Sequence, residues 1–241
     1  MTFAVPAILF FATFVRSTLG FGEALVAVPL LALLIPVKVA APIAALVSVT
    51  VAAIVVVQDW RHVQIRSAAW LIVATMFGIP VGLLVLTRVP EPIVKGVLAI
   101  VIITFSLHAI RNRGRRLVTD RFAWVFGFAA GVLGGAYGMN GPPLAVYGSM
   151  RGWSPAEFRA TLQGYFLPAS AVGMAGYWML GLWTSDVSHS YLVSLPAVVL
   201  AIVLGRLANQ RMSSRRFTAA VYVALVGIGA VLLGQAFMSS R

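Results

Sequence analysis

The stretch GGAYGMNGPP at residues 134–143 interrupts a chain that is otherwise strongly apolar. Glycine costs about 1 kcal/mol and proline about 3 kcal/mol in a helix interior, so this stretch cannot continue an α-helix. Apolar runs flank it at 122–136 and 142–150, and neither reaches the ~20 residues that a membrane helix needs. The stretch therefore predicts a broken pair of short apolar helices.

A second break of the same kind, GFGE at residues 20–23, separates the apolar runs 3–15 and 24–35. Setting the second half of the chain 118 residues behind the first places 20–29 over 138–147, and five further inserted residues place Gly82 on Gly205. The alignment predicts two repeats, 1–110 and 122–241, joined by a basic linker at 111–121. Each repeat contains a broken pair followed by three spanning helices, predicted at 39–57, 67–87 and 93–110 and at 158–180, 190–205 and 217–238.

The composition excludes an ordinary soluble enzyme. Of 241 residues, 61% are hydrophobic and only 10% charged, whereas a soluble domain is about half apolar and a quarter charged. The net charge of +12 comes from basic residues that stand between apolar runs, so the positive-inside rule explains them better than nucleic-acid binding does. We therefore predict an all-α polytopic membrane protein.

The distribution of lysine and arginine decides the topology of the broken pairs. If both pairs are hairpins that return to their own side, thirteen basic residues face the cytoplasm and four face outside. If each pair crosses the membrane once, the count becomes seven against ten, which opposes the positive-inside rule. The hairpin arrangement puts the linker in the cytoplasm and gives the two repeats inverted topology, related by a pseudo-twofold axis in the membrane plane.

The segment GFGEALVAVPLL at 20–31, its weaker echo GMNGPPLAVY at 138–147 and the two Gly-broken halves resemble the sulfite exporter TauE/SafE family. The resemblance covers essentially the whole chain. It implies a multispanning carrier of the bacterial inner membrane for small sulfur-containing or related organic anions, such as sulfite or sulfonates.

The breaks themselves predict an anion site. Non-helical backbone at membrane depth must be buried in protein or line a wet cavity, and each break ends where a short helix begins. The free N–H groups and partial positive charge of a helix start bind anions, and an inverted repeat would bring the two starts together near the midplane. The alternative is that glycine and proline only permit tight turns. The predicted substrate-binding backbone comprises Gly20, Gly22, Gly138, Gly141 and Pro142.

Arg16 and Glu23 are charged residues that adjoin the apolar runs on the two sides of the first break. A charge at the membrane centre costs at least ~2.5–3.5 kcal/mol on insertion scales. Arg16 could neutralise a substrate anion while Glu23 carries the proton that couples transport. Alternatively, the two form an internal ion pair that holds the break in shape.

Neutral polar side chains follow the second break. Asn140 precedes the predicted half-helix, where its amide could cap the helix or donate to substrate. Gln163 lies on a spanning helix and faces either the cavity or a neighbouring helix, and Tyr147 is a further substrate-binding candidate. Ser48 and Thr50 are expected to bond to their own helix.

The sequence predicts no catalytic or metal centre and no cofactor. The acids and the three histidines are scattered, so neither metal-ligand spacing nor a paired-carboxylate arrangement occurs. Gly78 and Gly82, with Ala201 and Gly205, form small-xxx-small patterns that predict close packing of these two helices on each other or on a partner, such as a second copy in a homodimer. We predict a transporter of small sulfur-containing anions. The resemblance implies an exporter, with proton-coupled uptake of an organic anion or a non-transporting membrane subunit as alternatives.

Overall fold

A computed structural model of the chain describes residues 3–19, 22–59, 65–111, 122–211 and 214–239. These residues are folded almost entirely into α-helices, five from each predicted repeat. Residues 112–121 of the linker lie outside the described part. The helices are α1 (Ala4–Leu19), α2 (Glu23–Ala32), α3 (Val37–Asp59), α4 (Ile65–Arg88), α5 (Glu91–Arg111), α6 (Ala123–Tyr137), α7 (Gly141–Arg151), α8 (Pro155–Met179), α9 (Ser185–Arg211) and α10 (Ser214–Ser239).

Helix length and hydropathy confirm a polytopic membrane protein. Five helices among the described residues contain a span long and apolar enough to cross a bilayer, in α3, α4, α5, α9 and α10. The sixth predicted span, α8, has 25 residues, or about 37 Å at 1.5 Å per residue, but is not apolar enough to qualify. Its polar residues include Thr161, Gln163 and Ser170, which are all buried, so α8 places polar groups inside the protein and not against lipid.

The outer surface of the helices suits lipid. On α4 the exposed large side chains recur at helical spacing and form one apolar face. A soluble monomer rarely exposes a continuous apolar patch of this kind, whereas a bilayer solvates it. The charged side chains of Arg16 and Glu23, by contrast, are buried inside the protein. The exposed face of α4 comprises Trp70, Val73, Phe77, Val81 and Leu84.

The helices pack in pairs that correspond between the halves. Helix α4 packs most extensively on α6, and its counterpart α9 packs on α1; α5 lies against α10, and α3 lies against α8. Under the predicted alignment, α1 to α5 correspond to α6 to α10, so each pairing maps onto its partner or onto itself. A twofold relation between the halves requires this pattern. The inverted membrane topology of the halves stays a prediction.

Glycine brings paired helices into backbone contact. A Cβ on Gly82 would overlap the carbonyl oxygen of Val132 on α6, and a Cβ on Gly205 would meet Ser17 and Phe14 on α1. These two glycines are aligned in the predicted repeat, and both small-residue patterns pack inside the chain. The prediction that the two helices pack on each other is wrong, because α4 packs on α6 and α9 packs on α1. The two glycines are consequently not free to form the interface of a homodimer.

Candidate functional site

The two breaks meet in one cavity. Its wall includes the start of α2, the residues that join α6 to α7, and side chains from α1, α3 and α8. The sequence-predicted approach of two helix starts is therefore present in the structure. The lining residues are Arg16, Gly22, Glu23, Ala24, Leu25, Ser48, Gly138, Met139, Asn140, Gly141, Pro142, Phe166 and Ser170.

Left-handed glycines make both breaks. Gly22, before α2, has φ 98°, and Gly138, after α6, has φ 63°. Side-chain-bearing residues pay about 1–2 kcal/mol in this region, so glycine is the residue that each turn requires. The Gly138 N–H donates to Gly134 O at 2.8 Å and the Met139 N–H donates to Leu133 O at 3.2 Å, which closes the end of α6. Pro142 lies in the first turn of α7, where its missing N–H breaks no helical hydrogen bond.

Arg16 is the centre of the polar contacts. It lies in the last turn of α1, and its side chain is only 2% exposed. Nη1 donates to Glu23 Oε2 at 2.5 Å and to Ser48 Oγ at 2.9 Å, and Nη2 donates to Gln163 Oε1 at 2.7 Å. The guanidinium carbon lies 5.2 Å from the centre of the Phe166 ring, within cation–π range. Arg16 thus connects α1 with α2, α3 and α8, across both halves.

The Arg16–Glu23 pair leaves one polar atom unused on each side. Among the described residues, neither Arg16 Nε nor Glu23 Oε1 has a hydrogen-bond partner, although both atoms are buried. Buried polar groups are nearly always hydrogen-bonded, and those that are not require a ligand, water or a functional explanation. The pair therefore forms the predicted ion pair, and it leaves one N–H donor and one carboxylate oxygen without a partner on two residues that line the cavity.

Asn140 lies at the start of α7 but does not cap it with its side chain. A Cβ on Gly134 would collide with the Asn140 side-chain oxygen, so the glycine at 134 makes room for this amide. Asn140 is 6% exposed and lines the cavity. Of the two predicted roles, capping is not observed, and donation to substrate stays a prediction.

Two other predicted site residues, Gln163 and Tyr147, are not part of the cavity wall. Gln163 bonds to Arg16 behind the cavity wall. Tyr147 is fully buried in an aromatic cluster, 5.5 Å from the Trp153 ring and 5.7 Å from the Phe126 ring, and is not part of the cavity wall. Gly20 lies outside the described residues.

Sequence reasoning missed part of the wall. Phe166 and Ser170 were not predicted, although they follow Gln163 at helical spacing on α8, a pattern that places all three on one face. Thr50 bonds to Leu46 O of its own helix at 3.0 Å, as expected. Ser48 instead accepts a hydrogen bond from Arg16.

The cavity is narrow. The space open to the centre of a water molecule is about 20 Å³, and a single water needs about 10–15 Å³ on the same measure. An oxyanion larger than water therefore fits only after the walls of the cavity move. Among the residues that the structure describes, no group of three histidine or acidic side chains is arranged to hold a metal ion.

Comparisons with known proteins give the following similarities. The family model described as "Sulfite exporter TauE/SafE" matches residues 5–232. A protein of Cupriavidus necator named "Probable sulfite/organosulfonate exporter TauE" is 26% identical over 236 residues, which covers 95% of this chain and 92% of that protein. No solved structure matches the chain.

Proposed function

Since the chain belongs to the sulfite exporter TauE/SafE family, we propose that it exports small sulfur-containing anions, such as sulfite or organosulfonates, across the bacterial inner membrane. The relative from Cupriavidus necator carries a name with this activity. Export follows the anion's concentration gradient out of the cytoplasm. The protein acts as a transporter and not as an enzyme.

One observation carries the assignment of the site. The starts of two half-helices and a buried arginine with an unbonded N–H line the same cavity. Helix starts offer backbone N–H groups and partial positive charge, and an arginine offers a full charge, which together suit a small oxyanion. The predicted contacts are Arg16, Asn140 and the backbone N–H groups of Gly22 and Gly141, with Gln163 holding Arg16 in position. Gly138 and Pro142 shape the site without donating to the anion, because the Gly138 N–H already bonds to Gly134 O and proline has no N–H.

Transport then requires alternating access. The narrow cavity must widen to admit an anion, and the matching helix pairs α4–α6 and α1–α9 provide two equivalent surfaces on which the halves can move. This correspondence supports an inverted repeat in which the two halves exchange conformations, so that the cavity opens first to one side and then to the other.

Flux from purified protein tests the proposal. Liposomes containing the protein are loaded with sulfite, sulfoacetate or taurine, and the release of each is followed under an outward concentration gradient. We expect saturable release of at least one sulfur anion, inhibited by the others. Folded protein that releases none of them would instead support the role of a membrane subunit that needs a partner.

Asn140→Ala removes an amide from the cavity without removing a helix cap. Loss of a hydrogen bond to a charged group costs about 1.5–3 kcal/mol, so KM for the transported anion should rise roughly ten- to a hundredfold. Gly134→Ala should raise KM in the same direction, since the added methyl group displaces the Asn140 side chain. The exposed Thr104, which bonds to carbonyls of its own helix, provides the control Thr104→Ala. Equal KM values in all four proteins would remove Asn140 from the site.

A further inference from the structure

The carboxylate of Glu23 is a negatively charged group of the protein itself on the wall of the cavity. Glu23 Oε2 accepts a 2.5 Å hydrogen bond from Arg16 Nη1, in the position that an oxygen of a bound oxyanion would take. Oε1 of the same carboxylate is buried without a hydrogen-bond partner among the described residues. The ion pair is therefore complete on one oxygen and open on the other.

The charge of the cavity is balanced before substrate arrives. Arg16 and Glu23 are the only charged or titratable side chains on its described wall; the other lining side chains, from α2, α3, α8 and the residues joining α6 to α7, are neutral. A substrate anion would add an uncompensated negative charge inside a membrane protein, which is strongly unfavourable. Uptake of one proton by the site would restore the balance.

The positive ends of the two helices do not balance the charge of a substrate anion. Each contributes about half a positive charge near its first turn. Glu23 is the first residue of α2, so its carboxylate already takes up the positive end of that helix. The start of α7 alone offsets only part of a full negative charge.

We propose that Glu23 is a tethered competitor for Arg16, and that a substrate oxyanion binds only as a proton attaches to Glu23. The proton enters at Oε1, the Glu23 Oε2–Arg16 contact breaks, and the anion replaces it on the guanidinium. Anion and proton then occupy the site together and cross as a neutral pair. This inference rests on the proposed function, because it names the coupling of the same anion site.

Calorimetry with ethanesulfonate tests the coupling, since this sulfonate stays ionised at neutral pH and adds no proton of its own. Binding to the purified protein is measured in two buffers of different ionisation enthalpy, which reports protons taken up per anion. We expect about one proton per anion, and an affinity that falls about tenfold per pH unit wherever Glu23 is ionised in the free protein. Glu23→Gln should bind the anion with no proton uptake and no pH dependence.

The outcomes separate the coupling from the function. Binding to the wild-type protein without proton uptake overturns the tethered-competitor mechanism but leaves the anion site intact. Absence of binding by folded protein overturns the proposed function and the coupling with it. Glu91→Gln is the matched control, because Glu91 lies at the surface in an ion pair with Lys95, at 3.3 Å, and should leave proton uptake unchanged. If Glu23→Gln does not fold, the two-buffer measurement on wild-type protein decides the matter by itself.

Discussion

Arg16→Gln is expected to abolish anion flux and to destabilise the protein. The substitution leaves Glu23 as a buried charge whose only charged neighbour in the described cavity wall has gone. Removing one partner of a buried ion pair typically costs about 3–5 kcal/mol. It also removes hydrogen bonds to Ser48 and Gln163. Thermal unfolding in detergent and flux in liposomes measure the two effects.

The double variant Arg16→Gln, Glu23→Gln separates stability from transport. It removes both charges, so we expect most of the lost stability to return. Flux should stay absent, because no cationic side chain remains on the described wall of the cavity. A double variant that carries sulfite at the wild-type rate would show that Arg16 acts only in holding the break.

Gly131→Val should prevent the protein from folding stably. A Cβ on Gly131 would overlap Thr75 O on α4 and lie 2.9 Å from the Gly78 Cα, so the two helix backbones would have to separate. Overpacking commonly costs 1–3 kcal/mol, and contacts between backbones relax less readily than side-chain contacts do. The same separation would break the 2.8 Å hydrogen bond from Thr75 Oγ1 to Gly127 O. We expect little folded protein by size-exclusion chromatography in detergent.

A matched control comes from another membrane helix. A Cβ on Gly227 of α10 meets no atom within 4 Å, so Gly227→Val adds the same side chain in open space. We expect this variant to be as stable as the wild-type protein. If Gly131→Val unfolds at the same temperature as Gly227→Val, close contact between α4 and α6 contributes nothing to stability.

The sequence predicted the centre of the candidate site because strong local features mark it. Glycine is the residue that a turn with positive φ favours, and proline fits the first turn of a helix. Clusters of the two therefore located the end of α6 and the starts of α2 and α7. Charges in an apolar segment are rare, which singled out Arg16 and Glu23. Their pairing follows from their closeness along the chain, since α1 ends at Leu19 and α2 begins at Glu23.

The parts of the candidate site that the sequence did not predict depend on how helices distant in the chain pack together. That Ser48 and Gln163 both bond to Arg16 is determined by the register of α3 and α8 against α1. The space that Gly134 leaves for Asn140 likewise exists only once the turn between α6 and α7 is folded. Tyr147 was selected by its distance along the chain from the break, whereas helix rotation places it among aromatic rings.

Substrate protection of a single cysteine tests most directly whether this cavity binds the anion. The chain has no cysteine, so Ser170→Cys creates one thiol on the cavity wall, and Ser188→Cys creates one in the half-buried first turn of α9, which is not part of that wall. Each variant is treated with a sulfonate-bearing thiosulfonate reagent, with and without ethanesulfonate. Our account predicts that ethanesulfonate slows modification several-fold at position 170 and leaves it unchanged at 188. Equal rates with and without ethanesulfonate at position 170, in protein that still transports, would contradict it.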